Sequence, residues 1–259
     1  MTNKEILRIA MEQSAADLCA QACDFEKSEN VIVLSQESDT ARRYLKLPFS
    51  CQLVSYGNNV VASISPAFRE ITENYINTYP VEHLFETPNM HVLNETLEKQ
   101  GQKICFMAEY FLPDMDDLLS RNSESIPYET RVLMQADFAE LYHPEWSNAL
   151  CEIRKHLDVL GVGAYHNGKL VGLAGCSADC DTMWQIGIDV LPEYRRQGIA
   201  SYLTRRLAIE ILERGKVPFY CAAWCNIKSV RNAIKSGFRP AWVEMTAKSI
   251  ETVEGMNQR

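Results

Sequence analysis

The chain has 259 residues, of which 46% are hydrophobic and 23% charged, and its net charge is −8. That length suits one large domain or two ordinary ones, and the acidic balance argues against a general nucleic-acid binder, which needs a basic face for phosphates. No apolar run approaches the ~18 residues of a membrane span, and Met1 to Leu7 mixes charge into its apolar positions, so a cytoplasmic protein is expected.

The chain opens with a helix-like stretch whose apolar positions, Ile6, Ile9 and Ala10, fall three and four apart. Val31 to Leu34 is a short apolar run. Cys51 to Ile64 reads as two strands joined at Gly57-Asn58-Asn59, a tight-turn composition. Pro66 suits the first turn of a following helix, where its missing N–H costs nothing. A further helix is expected from Met90 to Gln100, then a strand from Lys103 to Leu112, broken by Pro113 to Asp117. Residues 1–119 are read as a smaller α/β domain of unassigned role. The polar stretch 120–129 is the expected linker.

Residues 130–259 carry clearer signals. Arg131 to Met134 is a short strand, and Asp137 to His156 reads as two helical segments divided at Pro144. Val159 to His166 and Lys169 to Cys176 flank Asn167-Gly168, a strong hairpin signal. Met183 to Val190 follows as a strand. Gly198 to Arg214 is an amphipathic helix with Ile199, Leu203, Leu207 and Ile211 on one face, stopped by Gly215. Val217 to Ala223 is a strand, Ser229 to Ser236 a helix ended by Gly237, and Pro240 to Lys248 a closing strand.

Nine cysteines include three pairs four residues apart: Cys19/Cys23, Cys176/Cys180 and Cys221/Cys225. Structural zinc favours tighter CxxC pairs or histidine partners. Cys176 and Cys221 lie in apolar strand segments, where a reduced thiol behaves as a small hydrophobe. No metal is expected.

Chemistry concentrates at Val190-Leu191-Pro192-Glu193-Tyr194-Arg195-Arg196-Gln197-Gly198-Ile199-Ala200. A strand ends, a short polar turn follows, and a long helix starts at a glycine. Such a helix start leaves its first amides without intrahelical acceptors, beside the positive end of the helix dipole. An anion suits that position, and Gly198 puts no side chain in its way. Two solvated arginines at an ordinary helix start would be the plain alternative. Neither a P-loop nor a dinucleotide fingerprint is present.

Arg195-x-x-Gly198-x-Ala200 resembles the acyl-CoA signature [Q/R]-x-x-G-x-[G/A] of the GNAT superfamily of N-acyltransferases. Asn226-Ile227-Lys228-Ser229 with Ala233-Ile234-Lys235-Ser236-Gly237-Phe238 is similar to that family's second signature, and the hairpin and strand order agree. The resemblance covers about 120 residues, within 130–259, and makes a decayed acyltransferase-like half one alternative for residues 1–119. It implies a mixed α/β (α+β) fold with a mostly antiparallel central sheet flanked by helices, and acetyl-CoA (coenzyme A) as acyl donor. It further implies that backbone groups of Ile188, Asp189 and Val190 meet the pantetheine arm. The pyrophosphate would fall to the amides of Arg196, Gln197, Gly198, Ile199, Ala200 and Ser201, with Arg195 adding positive charge at the cofactor site. Asn226 would contact the pantetheine or cap its own helix, and Ser229 would approach the thioester.

Transfer to an amine needs that amine neutral, which for a lysine-like group of pKa ~10.4 costs about 4–5 kcal/mol at pH 7. Many members of the family protonate the departing sulfur with a tyrosine seven residues after the asparagine, where this chain has Ala233. Ser229 is therefore the candidate catalytic group for the sulfur. The position at which the resemblance implies a base holds Trp184, which cannot take a proton, so Asp189 is the candidate base, with Asp181 and Glu244 as further carboxylates. A water relay, or an amine arriving neutral, would serve equally. A covalent route through Cys225 lacks a nearby histidine.

The expected function is N-acetyl transfer, by direct transfer, to a primary amine on a small molecule or peptide. The alternative is a catalytically impaired module that binds coenzyme A as a sensor or interaction protein. No nucleic-acid or membrane partner is expected, and a homodimer is left open.

Overall fold

The computed structural model describes residues 1–120 and 125–258. It divides into two compact units: Met1–Ile9 with Tyr110–Pro240, and Ala10–Glu109 with Ala241–Arg259. Of the expected linker at 120–129, residues 121–124 lie outside the described residues.

The elements in chain order are α1 (Asn3–Leu18), β1 (Val31–Leu34), β2 (Cys51–Ser55), β3 (Val61–Ile64), α2 (Arg69–Thr78), α3 (Thr87–Glu98), β4 (Gln102–Pro113) and α4 (Met115–Ser120). There follow β5 (Glu129–Met134), β6 (Asp158–His166), β7 (Lys169–Ser177), β8 (Met183–Val190), α5 (Ile199–Glu213), β9 (Val217–Ala222), α6 (Ile227–Lys235), β10 (Phe238–Ser249) and α7 (Ile250–Asn257).

In the first unit the strand order is β4-β9-β8-β7-β6-β5. Pairing is antiparallel from β5 through β8, and β8 pairs parallel with β9. The β6–β7 turn has both Asn167 (φ +50) and Gly168 (φ +82) in the left-handed region, the backbone that an Asn-Gly hairpin turn requires. Ile199, Leu203, Leu207 and Ile211 of α5 are fully buried in one core with Val162, Ala174, Cys176 and Ile186, while Ile188 and Val190 pack against it. At roughly 25 cal/mol for each Å² of apolar surface removed from water, this face is what holds the helix to the sheet.

In the second unit β1 pairs parallel with β3, which pairs antiparallel with β2, which pairs antiparallel with β10. Its apolar core joins Leu53, Ala62 and Ile64 to Ile76, Leu93 and Leu97 of α2 and α3. A buried charged cluster lies beside it: Arg42 Nε meets Asp17 at 2.5 Å and its Nη2 meets Glu244 at 2.6 Å. Glu244 also accepts from Trp242 Nε1 at 2.8 Å and Gln52 Nε2 at 3.3 Å, so these buried groups satisfy one another.

The segment expected to hold two helices divided at Pro144 forms none. Residues 135–157 run instead through 3-10 turns at Gln135–Phe138, Pro144–Trp146 and Glu152–Leu157. Carboxylates take the amides there: Asp137 accepts from Met134 N, Asp158 from Cys151 N, and Asp189 from Asn148 N and Ala149 N. Side-chain acceptors of this kind offer the backbone an alternative to the i→i−4 ladder. Arg154, at φ −135 and ψ 38, leaves helical space altogether.

Among the described residues no helix is long and apolar enough to cross a membrane, and no group of three or more His, Cys, Asp or Glu side chains could hold a metal ion.

Candidate functional site

Strand alternation sorts β8 into two faces. Trp184, Ile186, Ile188 and Val190 turn toward the α5 core. Gln185, Gly187 and Asp189 therefore lie on the opposite face. A Cβ built on Gly187 would stand 1.8 Å from Asn148 O, and one on Gly175 would stand 2.2 Å from Ala149 O. The backbone at 148–149 thus rests directly on two bare strand positions.

The β8–β9 ladder is short. It runs from Met183↔Val217 through Trp184↔Pro218 to Gln185↔Phe219 and then stops, although β8 continues to Val190 and β9 to Ala222. Gln185 Nε2 donates to Cys221 Sγ at 3.0 Å just past the last pair. Beyond it the two strands part, which leaves one edge of Ile186–Val190 without a neighbouring strand.

The turn from β8 to α5 opens beside that parting. Gly198 stands at the helix N-cap with φ +83, and Arg196 is left-handed at φ +63. A Cβ on Gly198 would meet nothing within 4 Å. No side chain caps the helix. Ser201 Oγ donates to Gly198 O at 3.1 Å, and Tyr202 N is the first helical amide to find an acceptor, Gly198 O, also at 3.1 Å. Among the described residues, the amides from Arg196 to Ser201 meet no protein acceptor. Consecutive N–H groups in this setting form an anion cradle.

The turn is anchored from its outer side. Tyr128, His166 and Tyr194 meet edge to face, with ring centroids 5.6 to 6.0 Å apart. His166 Nδ1 and Tyr194 OH are 3.0 Å apart, and the Tyr128 hydroxyl donates to Gln197 Oε1. The sequence offered no motif for this cluster, which draws on three separate segments.

Each expected site residue has a definite place. Ile188, Asp189 and Val190 lie on the unpaired part of β8, but the Val190 carbonyl is engaged by Arg195 Nε at 2.9 Å. Arg195 therefore braces the strand end. Gln197 is fixed by Tyr128, and Ile199, Ala200 and Ser201 form the first turn of α5.

Asp189 is bound up in the fold. Its Oδ2 accepts from Asn148 N at 2.8 Å and Ala149 N at 2.9 Å, and its Oδ1 accepts from Asn148 Nδ2 at 2.7 Å. Both of its carboxylate oxygens are thus committed to donors of the fold. Its evident work is to pin the 147–150 turn to the sheet. Glu244 is engaged by Arg42, Gln52 and Trp242 in the second unit, and Asp181 is exposed.

Asn226 caps α6: its Oδ1 accepts from Ser229 N at 3.3 Å. Asn226→Ala is expected to cost about 1 kcal/mol, as lost N-caps do, which a small drop in the thermal midpoint would register. Ser229 is half-buried, and its Oγ lies 2.7 Å from the hydroxyl of Tyr220, a buried residue of β9 that sequence reasoning missed. Burial raises the Tyr220 pKa, and hydrogen bonds with Ser229 and Asn232 partly oppose that rise. Cys225 is exposed at the start of α6.

A family model for GNAT acetyltransferase matches residues 65–241. The match begins well before residue 130, and so takes in part of the segment read from the sequence as a separate half. Among solved structures, the chain is similar to a GNAT-family acetyltransferase from Novosphingobium aromaticivorans at 19% identity (57% of this chain, 66% of that one, TM-score 0.39). A GCN5-related N-acetyltransferase-like protein from Streptococcus suis matches at 18% identity (62% and 69%, TM-score 0.44). A GCN5-related N-acetyltransferase from Kribbella flavida matches at 17% (60% and 63%, TM-score 0.46). The chain thus spans 66% of the first of these proteins and 63% of the third. No curated protein matches it.

Proposed function

Because this chain belongs to the GNAT acetyltransferase family, we propose that it transfers an acetyl group directly from acetyl-CoA to a primary amine of a small molecule or peptide. The observation that carries the reading is the run of amides from Arg196 to Ser201 with no protein acceptor, opening α5 beside the parting of β8 and β9. A pyrophosphate supplies the acceptors those amides lack, and the open edge of β8 offers an extended pantetheine amide groups to pair with.

The α5 turn holds the donor, and the β8 edge directs its acyl end toward the last β8–β9 pair. Ser229, on the first turn of α6, is assigned to the departing sulfur. Asp189 is assigned to positioning, as the anchor of the 147–150 turn on the other face of β8, and not to proton abstraction.

The test begins with calorimetric titration of coenzyme A and acetyl-CoA, followed by thiol release across a panel of primary amines. Saturable binding with amine-dependent thiol release is expected. Binding without turnover across a broad panel would leave a CoA-binding module with no transferase activity, and absence of binding would end both readings.

A further inference from the structure

We propose that β5 pairs edge to edge with β5 of a second copy of this chain, antiparallel, with Thr130 on the two-fold axis and Glu129 of each copy opposite Arg131 of the other. The inference is independent of the acetyl-transfer reading and draws only on the first unit.

β5 stands at the end of its sheet, and among the described residues β6 is the one strand it pairs with. In an antiparallel ladder successive residues turn their N–H and C=O groups alternately toward the neighbour and away from it. Met134 N turns away, since it donates to Asp137 Oδ2 at 2.8 Å. Val132 and Thr130 therefore present their backbone groups outward as well. Counting across the ladders from the bond between Leu191 N and Val171 O gives the same alternation. A two-fold rotation brings the outward groups of one copy against those of another, which is the self-complementarity that such an axis demands.

Side chains alternate too. Thr130, Val132 and Met134 share the α5 face with their β6 partners Ala164, Val162 and Leu160, and Glu129 and Arg131 lie on the other face. Val132 is 39% and Met134 51% exposed. Glu129 and Arg131, both exposed, form an ion pair at 2.7 Å, and the guanidinium lies 4.4 Å from the centre of the Tyr165 ring. Charge guards an edge when copies of it repel. This edge carries one charge of each sign, two residues apart.

With Thr130 on the axis, the two threonines exchange a pair of backbone hydrogen bonds. Glu129 then falls opposite Arg131 twice, at the non-hydrogen-bonded positions where side chains approach most closely. The ion pair within each strand and the two across the axis make four charges of alternating sign. On the α5 face Val132 falls opposite Tyr128 and Met134 opposite Ile126, residues that already pack on the core. Pro127, with no N–H to give, falls at an inward position. Sliding the strands by two residues sets Arg131 against Arg131 or Glu129 against Glu129. Sliding by one sets outward backbone groups against inward ones. Ile126 to Met134 is thus complementary to itself about its centre, in that one register.

Sedimentation equilibrium of the full chain tests this. A contact so short supports a weak dimer, so the wild type should approach twice the chain mass as its concentration rises from micromolar to submillimolar. Glu129→Arg and Arg131→Glu each place like charges at both cross-strand positions, and should raise the dimer dissociation constant by roughly tenfold or more. Both side chains are exposed, so the fold should survive, which far-UV circular dichroism checks. Mixed in equal amounts, one variant offers two arginines and the other two glutamates, both cross-strand pairs are again opposite, and association should return to the wild-type level. A wild type that keeps the single-chain mass at submillimolar concentration overturns the proposal. So does a dimer that neither reversal weakens, whose interface lies elsewhere. Variants that are weakened alone and stay so when mixed would mean that the charges do not meet across the axis, and would overturn it as well. None of these outcomes bears on the binding of coenzyme A.

Discussion

Replacing Gly198 with aspartate is expected to abolish measurable binding of coenzyme A while leaving the protein folded. Gly198 has φ +83, and a Cβ there meets no atom within 4 Å, so the new side chain has room. The left-handed backbone costs an ordinary residue about 1–2 kcal/mol, which lowers stability modestly. The carboxylate, however, would stand where the amides of Arg196 to Ser201 gather an anion. Two like charges about 4 Å apart near a protein surface repel by about 4 kcal/mol, which corresponds to an affinity loss approaching a thousandfold. Gly198→Ala shares the backbone strain but not the charge, and should weaken binding no more than about tenfold. Calorimetric titration of both variants separates the two effects. An aspartate variant that is folded and titrates like the wild type would remove the α5 turn as the anion site.

The second large effect concerns Gly187. An alanine Cβ there would lie 1.8 Å from Asn148 O, 2.7 Å from Asn148 C and 3.2 Å from Ala149 Cα. All three contacts are backbone, so no rotamer change relieves them. The 147–150 turn can retreat only by giving up the hydrogen bonds it donates to Asp189. Two of those donors are backbone amides, one exposed and one partly buried, and each such hydrogen bond lost costs about 0.5–1.5 kcal/mol. Gly187→Ala should therefore destabilise the protein by about 3–5 kcal/mol, adding overpacking to lost hydrogen bonds. Urea unfolding measures this directly. A midpoint equal to wild type would mean that the turn is not seated on β8 in solution.

Much of the architecture of residues 130–259 was readable in the sequence, because its signals are local. Asn167-Gly168 specifies its own backbone, and the 3.6-residue spacing of Ile199, Leu203, Leu207 and Ile211 marks the face that α5 buries. The stretch Asp137 to His156 misled for the opposite reason. Its helical pattern is real, but Asp158, just past its end, and Asp189, some 40 residues on, claim amides that a helix would need. Tertiary acceptors override propensity and leave no trace in a periodicity count. Asp189 itself looked like a candidate base, since a carboxylate on a strand carries no mark of the donors that will converge on it. Tyr220 was missed although a clue existed: a tyrosine within an apolar strand has a hydroxyl that must go somewhere. What the sequence could not supply was Ser229, nine residues later, as the answer.

The early end of the β8–β9 ladder has a cost that any occupant would relieve. Bare strand edges usually lie at the border of a sheet, guarded by charge, proline or brevity, since they invite stray chains to add on. Here the unpaired rim belongs to an interior strand, Ile186 to Val190, whose apolar side chains are already turned to the α5 core, so the rim offers backbone groups alone. Left unfilled, those backbone groups form a seam inside the sheet that an extended chain could enter. Filling that seam would act as a cofactor-dependent safeguard against self-association, over and above any chemistry performed there.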